Sequence, residues 1–234
     1  MKKVFIHDLG IFAEGVRGYA ARVRAAMGGR SQTVIFTPNF QMLNAAAKDE
    51  DAAQLLRRAD ILLPDGVGVC LYCRAHGLPT VERIAGIDAG FALLKFAARD
   101  GKRVFLLGAE RGVAERAAKN LKAQIPRLCI CGTHHGYFDK SLNSKANAAV
   151  CERIRKSAPD VLLVCFGFPE QEKWIVENAH SLPSVRVFMG LGGSLDVWSG
   201  RQKRAPLFFR ALGVEWLYRC MRQPKRFISL FKSL

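Results

Sequence analysis

Between residues 32 and 193, short apolar runs rich in β-branched residues alternate with longer segments of helical periodicity. The short runs are apolar at nearly every position, as in parallel strands that helices cover on both faces. They predict strands at residues 33–37, 61–64, 103–108, 128–132, 161–166 and 185–191. The longer segments carry apolar residues three or four positions apart and predict helices at residues 39–58, 67–76, 87–99, 112–124, 141–157 and 170–178. This alternation predicts an α/β fold with a doubly wound, mostly parallel, Rossmann-like sheet.

The pattern changes after Gly200, and no further strand is predicted beyond that residue. Residues 201–234 combine many Lys and Arg residues with large apolar side chains, and Glu215 is their single acid. Cations on one helical face and aromatic residues on another are typical of segments that lie on a membrane surface. We therefore predict an α/β core at residues 1–200 and a helical, membrane-associating appendage at residues 201–234.

Composition and charge narrow the class of partner without choosing one. The chain has 234 residues, half of them hydrophobic, which is enough for a sizeable core. Its formal net charge of +16 predicts attraction to a polyanion, which can be a nucleic acid, an anionic lipid or a diphosphate substrate. No apolar run approaches the ~18 residues of a transmembrane helix, so we expect any membrane contact to be peripheral.

The cysteines and histidines indicate neither a disulfide framework nor a metal site. Most of the seven cysteines lie in apolar runs, which is typical of reduced, buried thiols. Cys70 and Cys73 form a C-x-x-C pair within a predicted helix, but no second pair has the spacing of a zinc site. His134 and His135 have no Cys or carboxylate at ligand spacing, and we expect them to be ordinary loop residues.

The loops that follow the predicted strands form the candidate binding site, because ligands of open parallel sheets bind at the carboxyl ends of the strands. Asp65 follows one strand at a glycine turn, where it can be a helix N-cap or a catalytic carboxylate. Asn39 can cap the helix that follows Thr37 and Pro38. The loop at residues 108–112 opens a helix whose free amides suit a phosphate or a uracil edge.

The motifs that the chain lacks limit its chemistry. It has no P-loop, no full G-x-G-x-x-G, no G-x-S-x-G and no D-x-D after a predicted strand. Gly192 and Gly193, after the last strand, would still let the backbone approach a ligand closely. We therefore expect metal-independent chemistry without a cofactor.

Seven motifs occur in a particular order and spacing. They are T-P-N at residues 37–39, P-D-G-V-G at 64–68, E-R-I-A-G-I-D at 82–88, G-F-P-E-Q-E at 167–172, G-G-S-L-D-V-W-S-G at 192–200, K-R-A-P at 203–206 and E-W-L-Y-R at 215–219. Together they resemble the WecG/TagA/CpsF family of glycosyltransferases, and the resemblance extends over residues 32–228.

The resemblance implies an inverting transferase that needs no metal. Such enzymes move a sugar, most often N-acetylmannosamine, from a UDP-sugar donor to undecaprenyl-diphosphate-linked N-acetylglucosamine. Their products are teichoic acid, enterobacterial common antigen and capsule or exopolysaccharide chains. Because the acceptor is linked to a polyprenyl lipid, the expected location is the cytoplasmic face of a bacterial inner membrane, with an anionic membrane surface as a partner.

The resemblance also implies roles for individual residues. Asp65 is the expected base on the acceptor hydroxyl, with Thr37 as a second catalytic residue beside it. Thr37 and Asn39 would orient sugar hydroxyls, and Arg83 would neutralise either the leaving diphosphate or the phosphate of the acceptor. The expected donor-side residues are Gln171, Asp196, Gly108, Gly192 and Gly193. The expected ligands of the acceptor diphosphate are Arg204, Arg219 and Arg226.

Two alternatives come from other classes. A basic nucleic-acid-binding protein would also explain the charge and the aromatic tail. A dinucleotide-dependent oxidoreductase would also explain the doubly wound sheet, although the missing glycine fingerprint counts against it. Within the transferase class, N-acetylmannosamine is the favoured donor sugar, and glucose or a uronic acid is the alternative. No nucleic-acid partner is expected, and a homo-oligomer stays open.

Overall fold

The computed structural model describes residues 1–211, 215 and 218, and these residues form one eight-stranded sheet flanked by helices. The strands are β1 Lys3–Ile6, β2 Leu9–Phe12, β3 Thr33–Phe36, β4 Ile61–Leu62, β5 Arg103–Gly108, β6 Cys129–His134, β7 Val161–Cys165 and β8 Val187–Gly190. The helices are α1 Gly15–Gly28, α2 Phe40–Lys48, α3 Glu50–Arg57, α4 Val67–Ala75, α5 Gly86–Arg99, α6 Val113–Gln124, α7 Lys145–Ser157, α8 Glu170–Asn178, α9 Ser194–Trp198 and α10 Leu207–Ala211.

The sheet order is β1-β2-β4-β3-β8-β7-β5-β6, and every pairing except that of β1 with β2 is parallel. Helices α1, α5 and α6 bury their apolar residues in a core on one face of the sheet. Helices α2, α3, α4, α7 and α8 do so on the other face. The predicted α/β, doubly wound and mostly parallel fold is therefore confirmed, and the carboxyl ends of the parallel strands form one edge of the sheet.

The six predicted strands are all present, and the predicted helix at residues 39–58 is wrong in one respect. The chain forms two helices there, α2 and α3, separated at Asp49. Asp49 has extended backbone, with a φ of −137°, and its side chain accepts a hydrogen bond from the N–H of Asp51. An aspartate in this position caps a new helix instead of continuing the old one, because its carboxylate competes for the backbone amides.

The N-terminal segment contributes elements that the hydrophobic pattern did not predict. Strands β1 and β2 form a hairpin through His7 and Asp8, which have φ values of 45° and 62°. The turn therefore needs left-handed backbone, yet it carries no Asn-Gly or Asp-Gly signal. Helix α1 then packs against α5, and the buried Tyr19 hydroxyl donates to the Ala89 carbonyl at 2.9 Å. The first thirty residues are therefore part of the core.

The described cysteines are all free. Cys73, Cys151 and Cys165 are buried as predicted, but Cys129 is exposed at the start of the edge strand β6. Cys70 and Cys73 lie on α4, and burial raises the pKa of both thiols. Within residues 1–211, 215 and 218, no group of three or more His, Cys, Asp or Glu side chains is arranged to hold a metal ion.

Candidate active site

Thr37 lies where three segments of the carboxyl edge meet. It follows β3, is buried, and donates its hydroxyl proton to the carbonyl oxygen of Gly190 at 3.2 Å. Gly190 ends β8, so this hydrogen bond joins the exits of two neighbouring strands. Gly86, the first residue of α5, packs on the other side, where an added Cβ would lie 3.0 Å from the Thr37 hydroxyl oxygen. A side chain on the first residue of α5 would therefore press on Thr37.

Asp65 is held in the adjacent loop by backbone hydrogen bonds. Its N–H donates to the Pro38 carbonyl at 3.0 Å, and the Pro64 carbonyl accepts from the N–H of Ile84 at 3.0 Å. The N-cap position of α4 is Gly66, with a φ of 83°, so Asp65 does not occupy the cap position that the sequence left open for it. The half-buried Asp65 side chain therefore starts from a backbone fixed between the loop of Thr37 and the segment of Arg83.

Asn39 and Arg83 lie on the segments that hold Asp65. Asn39 is the N-cap of α2, and its Oδ1 accepts a hydrogen bond from the Met42 N–H at 3.0 Å. Its amide nitrogen is therefore the group that can donate to a ligand. Arg83 interacts electrostatically with Cys70 on α4 and partly offsets the rise in the pKa of that thiol. The structure thus brings the loops of all four predicted acceptor-side residues, Thr37, Asn39, Asp65 and Arg83, to one part of the edge.

Gln171 lies beneath the donor-side loops. Its side chain is 3% exposed, and its Oε1 accepts hydrogen bonds from the N–H groups of Gly167 at 3.3 Å and Gly192 at 2.8 Å. Its Nε2 donates to Glu172 Oε1 at 2.8 Å. Both ends of the amide are therefore engaged by the protein, and Gln171 ties the loop after β7 to the loop after β8.

Glu172 was missed by the sequence reasoning. It has no exposed surface, and its Oε2 has no hydrogen-bond partner among the described residues. Desolvation by burial raises the pKa of the carboxyl to about 7. The available signal was its spacing, because Glu172 lies three residues before the buried Ile175 on the inward face of α8. A charged residue on an apolar stripe is a candidate for a special role.

Gly108 is required by the close packing of two strands. Its φ is 140°, and an added Cβ would collide with the Cys165 carbonyl oxygen, which accepts a hydrogen bond from the Ala109 N–H at 3.1 Å. Ala109 and Gly112 both have positive φ, and α6 begins directly afterwards. The loop at residues 108–112 is therefore a tight connection at the carboxyl edge, where the sequence predicted a nucleotide contact.

Arg201, which was not predicted as a site residue, lies between the loop at residues 108–112 and helix α9. It donates to Glu110 Oε1 at 2.7 Å and lies 3.7 Å from Asp196 Oδ1, in the first turn of α9. Its guanidinium also interacts electrostatically with Tyr137, whose ring is 66% exposed. Gly192, with a φ of 50°, and Gly193 form the turn that leads into α9. The predicted residues Asp196, Gly192 and Gly193 thus lie beside the loop of Gly108.

A cleft of about 480 Å³ opens next to Tyr137. Arg111, Arg153, His134 and His135 line it together with Tyr137 and the apolar residues Phe138, Ala146, Ala149 and Val150. Within the described part of the chain, neither Arg111 nor Arg153 forms a salt bridge. Burial lowers the pKa of both histidines, and the two arginines lower it further. This cationic and aromatic cleft suits an anionic ligand with a planar ring.

Arg204 is engaged by two carboxylates. Its two terminal nitrogens donate to the two oxygens of Asp88 at 2.6 and 2.7 Å, and Nη2 also donates to Glu215 Oε1 at 3.2 Å. These contacts join the predicted appendage to the first turn of α5. The guanidinium of Arg204 therefore donates to carboxylates of the protein, and a diphosphate would have to compete with them for it. Arg219 and Arg226, the other two predicted diphosphate ligands, lie outside the described residues.

The fold and the site define the class of the protein: a doubly wound α/β protein with a cationic and aromatic cleft at the carboxyl end of β6. The family model for the glycosyl transferase WecG/TagA/CpsF family matches residues 6–232. The chain belongs to this family and is a glycosyltransferase, which favours neither the nucleic-acid-binding nor the oxidoreductase alternative. The match also includes most of the N-terminal segment.

Curated relatives support the same assignment. The chain is 37% identical over 203 residues to the N-acetylglucosaminyldiphosphoundecaprenol N-acetyl-beta-D-mannosaminyltransferase of Bacillus subtilis (strain 168), covering 85% of this chain and 76% of the relative. It is 37% identical over 200 residues to the enzyme of the same name from Staphylococcus aureus (strain MW2), covering 86% of this chain and 76% of the relative.

The buried carboxyl of Glu172 predicts a particular dependence of stability on pH. Its folded pKa of about 7 lies above the ordinary value of 4.5, so the folded state binds the proton more tightly than the unfolded state. The stability that Glu172 contributes is therefore fully present below about pH 4.5. As the pH rises to about 7, this contribution is lost, and the free energy of unfolding falls by roughly 3 kcal/mol. We expect Glu172→Gln to remove this loss in urea unfolding measured from pH 4 to pH 8.

Glu177→Gln is the matched control, because Glu177 lies on the same helix but is partly exposed. The free energy of unfolding of this control should follow that of the parent protein at every pH. If Glu172→Gln also follows the parent, then Glu172 does not have the raised pKa.

The contacts of Arg204 predict that Asp88 holds the appendage to the core. Asp88→Asn removes the charge that Arg204 contacts with both terminal nitrogens, and a partly exposed ion pair of this kind contributes roughly 1 kcal/mol. Tryptic cleavage within residues 201–234 should therefore become about fivefold faster. Asp51→Asn makes the same charge change at an exposed position on α3 and should not alter the rate. Equal rates in the two variants would contradict the docking role.

Proposed function

We propose that this glycosyltransferase transfers N-acetylmannosamine from a UDP-sugar to undecaprenyl-diphosphate-linked N-acetylglucosamine. The observation that carries the proposal is the convergence of the loops of Asp65, Thr37, Asn39 and Arg83 at one part of the carboxyl edge, with a cationic cleft further along it. The names of the relatives support the choice of sugar and acceptor. Transfer of glucose or of a uronic acid by the same site is the alternative.

In the proposed mechanism Asp65 is the general base. Its carboxylate takes the proton from the acceptor hydroxyl, whose oxygen forms a bond to the anomeric carbon of the donor sugar. The bond between that carbon and the diphosphate oxygen breaks on the opposite face, so the configuration inverts and UDP leaves. Asn39 can hold a sugar hydroxyl through its amide nitrogen, while the Thr37 hydroxyl holds the strand exits in place. Arg83 neutralises negative charge on either the leaving diphosphate or the phosphate of the acceptor.

The donor is proposed to bind along the loops that follow β5, β6, β7 and β8. Tyr137 offers an exposed ring on which a uracil base can stack, and Asp196 can accept hydrogen bonds from ribose hydroxyls. Arg111 lines the cleft without a carboxylate partner in the described part of the chain, so it can donate to the diphosphate. Cationic side chains and helix N-termini would then stabilise the departing UDP without a metal.

We also propose that the protein works on the cytoplasmic face of the inner membrane, attached through its C-terminal appendage. Leu207 and Phe208, on α10, are 75% and 69% exposed, the two most exposed large apolar side chains that the structure describes. Lys203 and Arg204 precede them. No helix within residues 1–211 is both long and apolar enough to cross a membrane. Exposed apolar side chains next to cations are typical of a surface that inserts shallowly among anionic lipids.

The central prediction is that the purified protein forms a disaccharide product with EDTA present and that Asp65→Asn loses this activity. The substrates are UDP-N-acetylmannosamine and a short-chain lipid-diphosphate-N-acetylglucosamine. Turnover by Asp65→Asn should fall by ~100-fold or more, the effect of losing a general base. Its affinity for UDP, measured by calorimetry, should stay within about twofold, because Asp65 acts on the acceptor.

Asp51→Asn, the exposed control, should keep normal turnover. Near-normal turnover by Asp65→Asn would mean that the base is another residue. Turnover with UDP-glucose or UDP-glucuronic acid but not with UDP-N-acetylmannosamine would replace the proposed donor by the alternative. A loss of activity in EDTA that Mg²⁺ restores would contradict the metal-independent mechanism.

The next prediction concerns the C-terminal appendage, which is proposed to serve both membrane binding and catalysis. Arg201 and Arg204 contact the core, and Ala205 is buried, so a truncation is better placed after Pro206 than at residue 200. Removing residues 207–234 should abolish binding to anionic liposomes and also turnover with the short-chain acceptor, because Arg219 and Arg226 are proposed ligands of the acceptor diphosphate.

A double variant, Leu207→Ser with Phe208→Ser, separates the two roles. Each large apolar side chain contributes about 1.5–3 kcal/mol when it leaves water, so liposome binding should weaken at least tenfold. Turnover with the short-chain acceptor should stay unchanged. If the truncated protein is fully active on that acceptor, the appendage serves only as an anchor.

A further inference from the structure

The buried carboxylate of Glu172 is not explained by its contribution to the fold. It lies in the first turn of α8, where the helix dipole favours a negative charge. Desolvation nevertheless dominates, since the pKa is raised to about 7 rather than lowered. Its Oε2 is unpartnered within the described residues. An apolar side chain of similar size would avoid both penalties.

What Glu172 does provide is an acceptor for one end of the Gln171 amide. Gln171 Nε2 donates to Glu172 Oε1 at 2.8 Å, while Gln171 Oε1 accepts from the N–H groups of Gly167 and Gly192. If the amide were rotated by half a turn, its NH₂ group would face two N–H donors and its oxygen would face a carboxylate oxygen. The acceptor oxygen of Glu172 therefore selects the orientation in which Gln171 can hold both loops.

The two loops that Gln171 holds are those that frame the donor side of the edge. Gly192 leads into the turn that carries Asp196, and Gly167 begins the turn between β7 and α8. Gly190 packs against Gln171 so closely that an added Cβ would lie 3.0 Å from Nε2. The same Gly190 carbonyl accepts the hydrogen bond from Thr37. A shift of the Gln171 amide would thus displace both the loops at Gly167 and Gly192 and the Gly190 backbone to which Thr37 donates.

We infer that Glu172 is a positioning residue for glycosyl transfer: its carboxylate orients the Gln171 amide, and Gln171 fixes the loops at Gly167 and Gly192 in the geometry that binds the donor nucleotide. This inference rests on the proposed function in one respect, the placement of the donor nucleotide at these loops. It also changes the role of Gln171, which acts through the loops it ties together and does not contact the donor.

Two substitutions at Glu172 test the inference. Glu172→Gln keeps an oxygen that can accept from Gln171 Nε2, whereas Glu172→Leu removes the acceptor and keeps a side chain of similar size. Glu172→Leu should melt at the same temperature as the parent or higher, yet bind UDP at least tenfold more weakly. The protection of the Gly167 and Gly192 amides against hydrogen exchange should also fall in this variant. Glu172→Gln should keep UDP affinity within about threefold and retain the amide protection.

The kinetic signature separates positioning from general stability. With donor varied, Glu172→Leu should raise KM for the UDP-sugar more than it lowers kcat, because the loops are misplaced and the base is intact. The inference is overturned if Glu172→Leu binds UDP and protects both amides like the parent, or if Glu172→Gln loses both properties equally. If the parent protein itself does not bind UDP, the proposed function fails, and the amide protection of the two variants alone decides whether Glu172 orients Gln171.

Discussion

Hydrogen bonds between neighbouring strand exits are the interactions on which the site depends. A parallel sheet brings the carboxyl ends of its strands to one edge, but the sheet's own hydrogen bonds stop where the loops begin. Beyond that point, Thr37 ties β3 to β8, Ala109 ties β5 to β7, and Gln171 ties the loop after β7 to the loop after β8. Because most of these partners are backbone groups, the loops behave as extensions of the sheet rather than as independent surface segments.

The close approach of these loops explains the positions of three glycines. An added Cβ would collide with backbone at Gly108, would crowd Thr37 at Gly86, and would crowd Gln171 at Gly190. In each case the space of the missing side chain is filled by a group that connects two elements. Packing and hydrogen bonding are therefore coupled here: the hydrogen bond across the edge at Gly108 needs a glycine, and a side chain at Gly86 or Gly190 would press on Thr37 or Gln171.

The sequence predicted the sheet, the flanking helices and the loops of the site, because buried parallel strands are apolar throughout and their ends are marked by glycine and proline. It did not predict the hairpin at His7 and Asp8, whose left-handed turn has no glycine. It also predicts a ligand role for Gln171, which stays a prediction. A polar residue after a strand looks the same in the sequence whether it faces the ligand or lies beneath the loop, and the hydrogen bonds that Gln171 accepts from Gly167 and Gly192 favour the second position.

Glu172 illustrates a different limit of sequence reasoning. Its spacing relative to Ile175 places it on the inward face of α8, but the pattern of apolar positions carries no information about which group would accept or donate there. The reason for a buried carboxylate becomes visible only when its partner, Gln171, is seen to need an acceptor on one side and two donors on the other.

Whether an arginine already donates to a carboxylate of the protein determines how readily it can bind a diphosphate. Arg204 directs its terminal nitrogens to Asp88 and Glu215, so a phosphate would have to displace carboxylates that are already in contact at 2.6–3.2 Å. Arg201 is similarly held by Glu110 and lies close to Asp196. Exchanging one charge-assisted hydrogen bond for another yields little net free energy. Arg111 and Arg153 face the cleft without such competition from the described residues, so a diphosphate gains more from them. In the proposed mechanism, the charge of the departing diphosphate is therefore assigned to Arg111 and Arg153, which line the cleft and form no salt bridge with a described carboxylate.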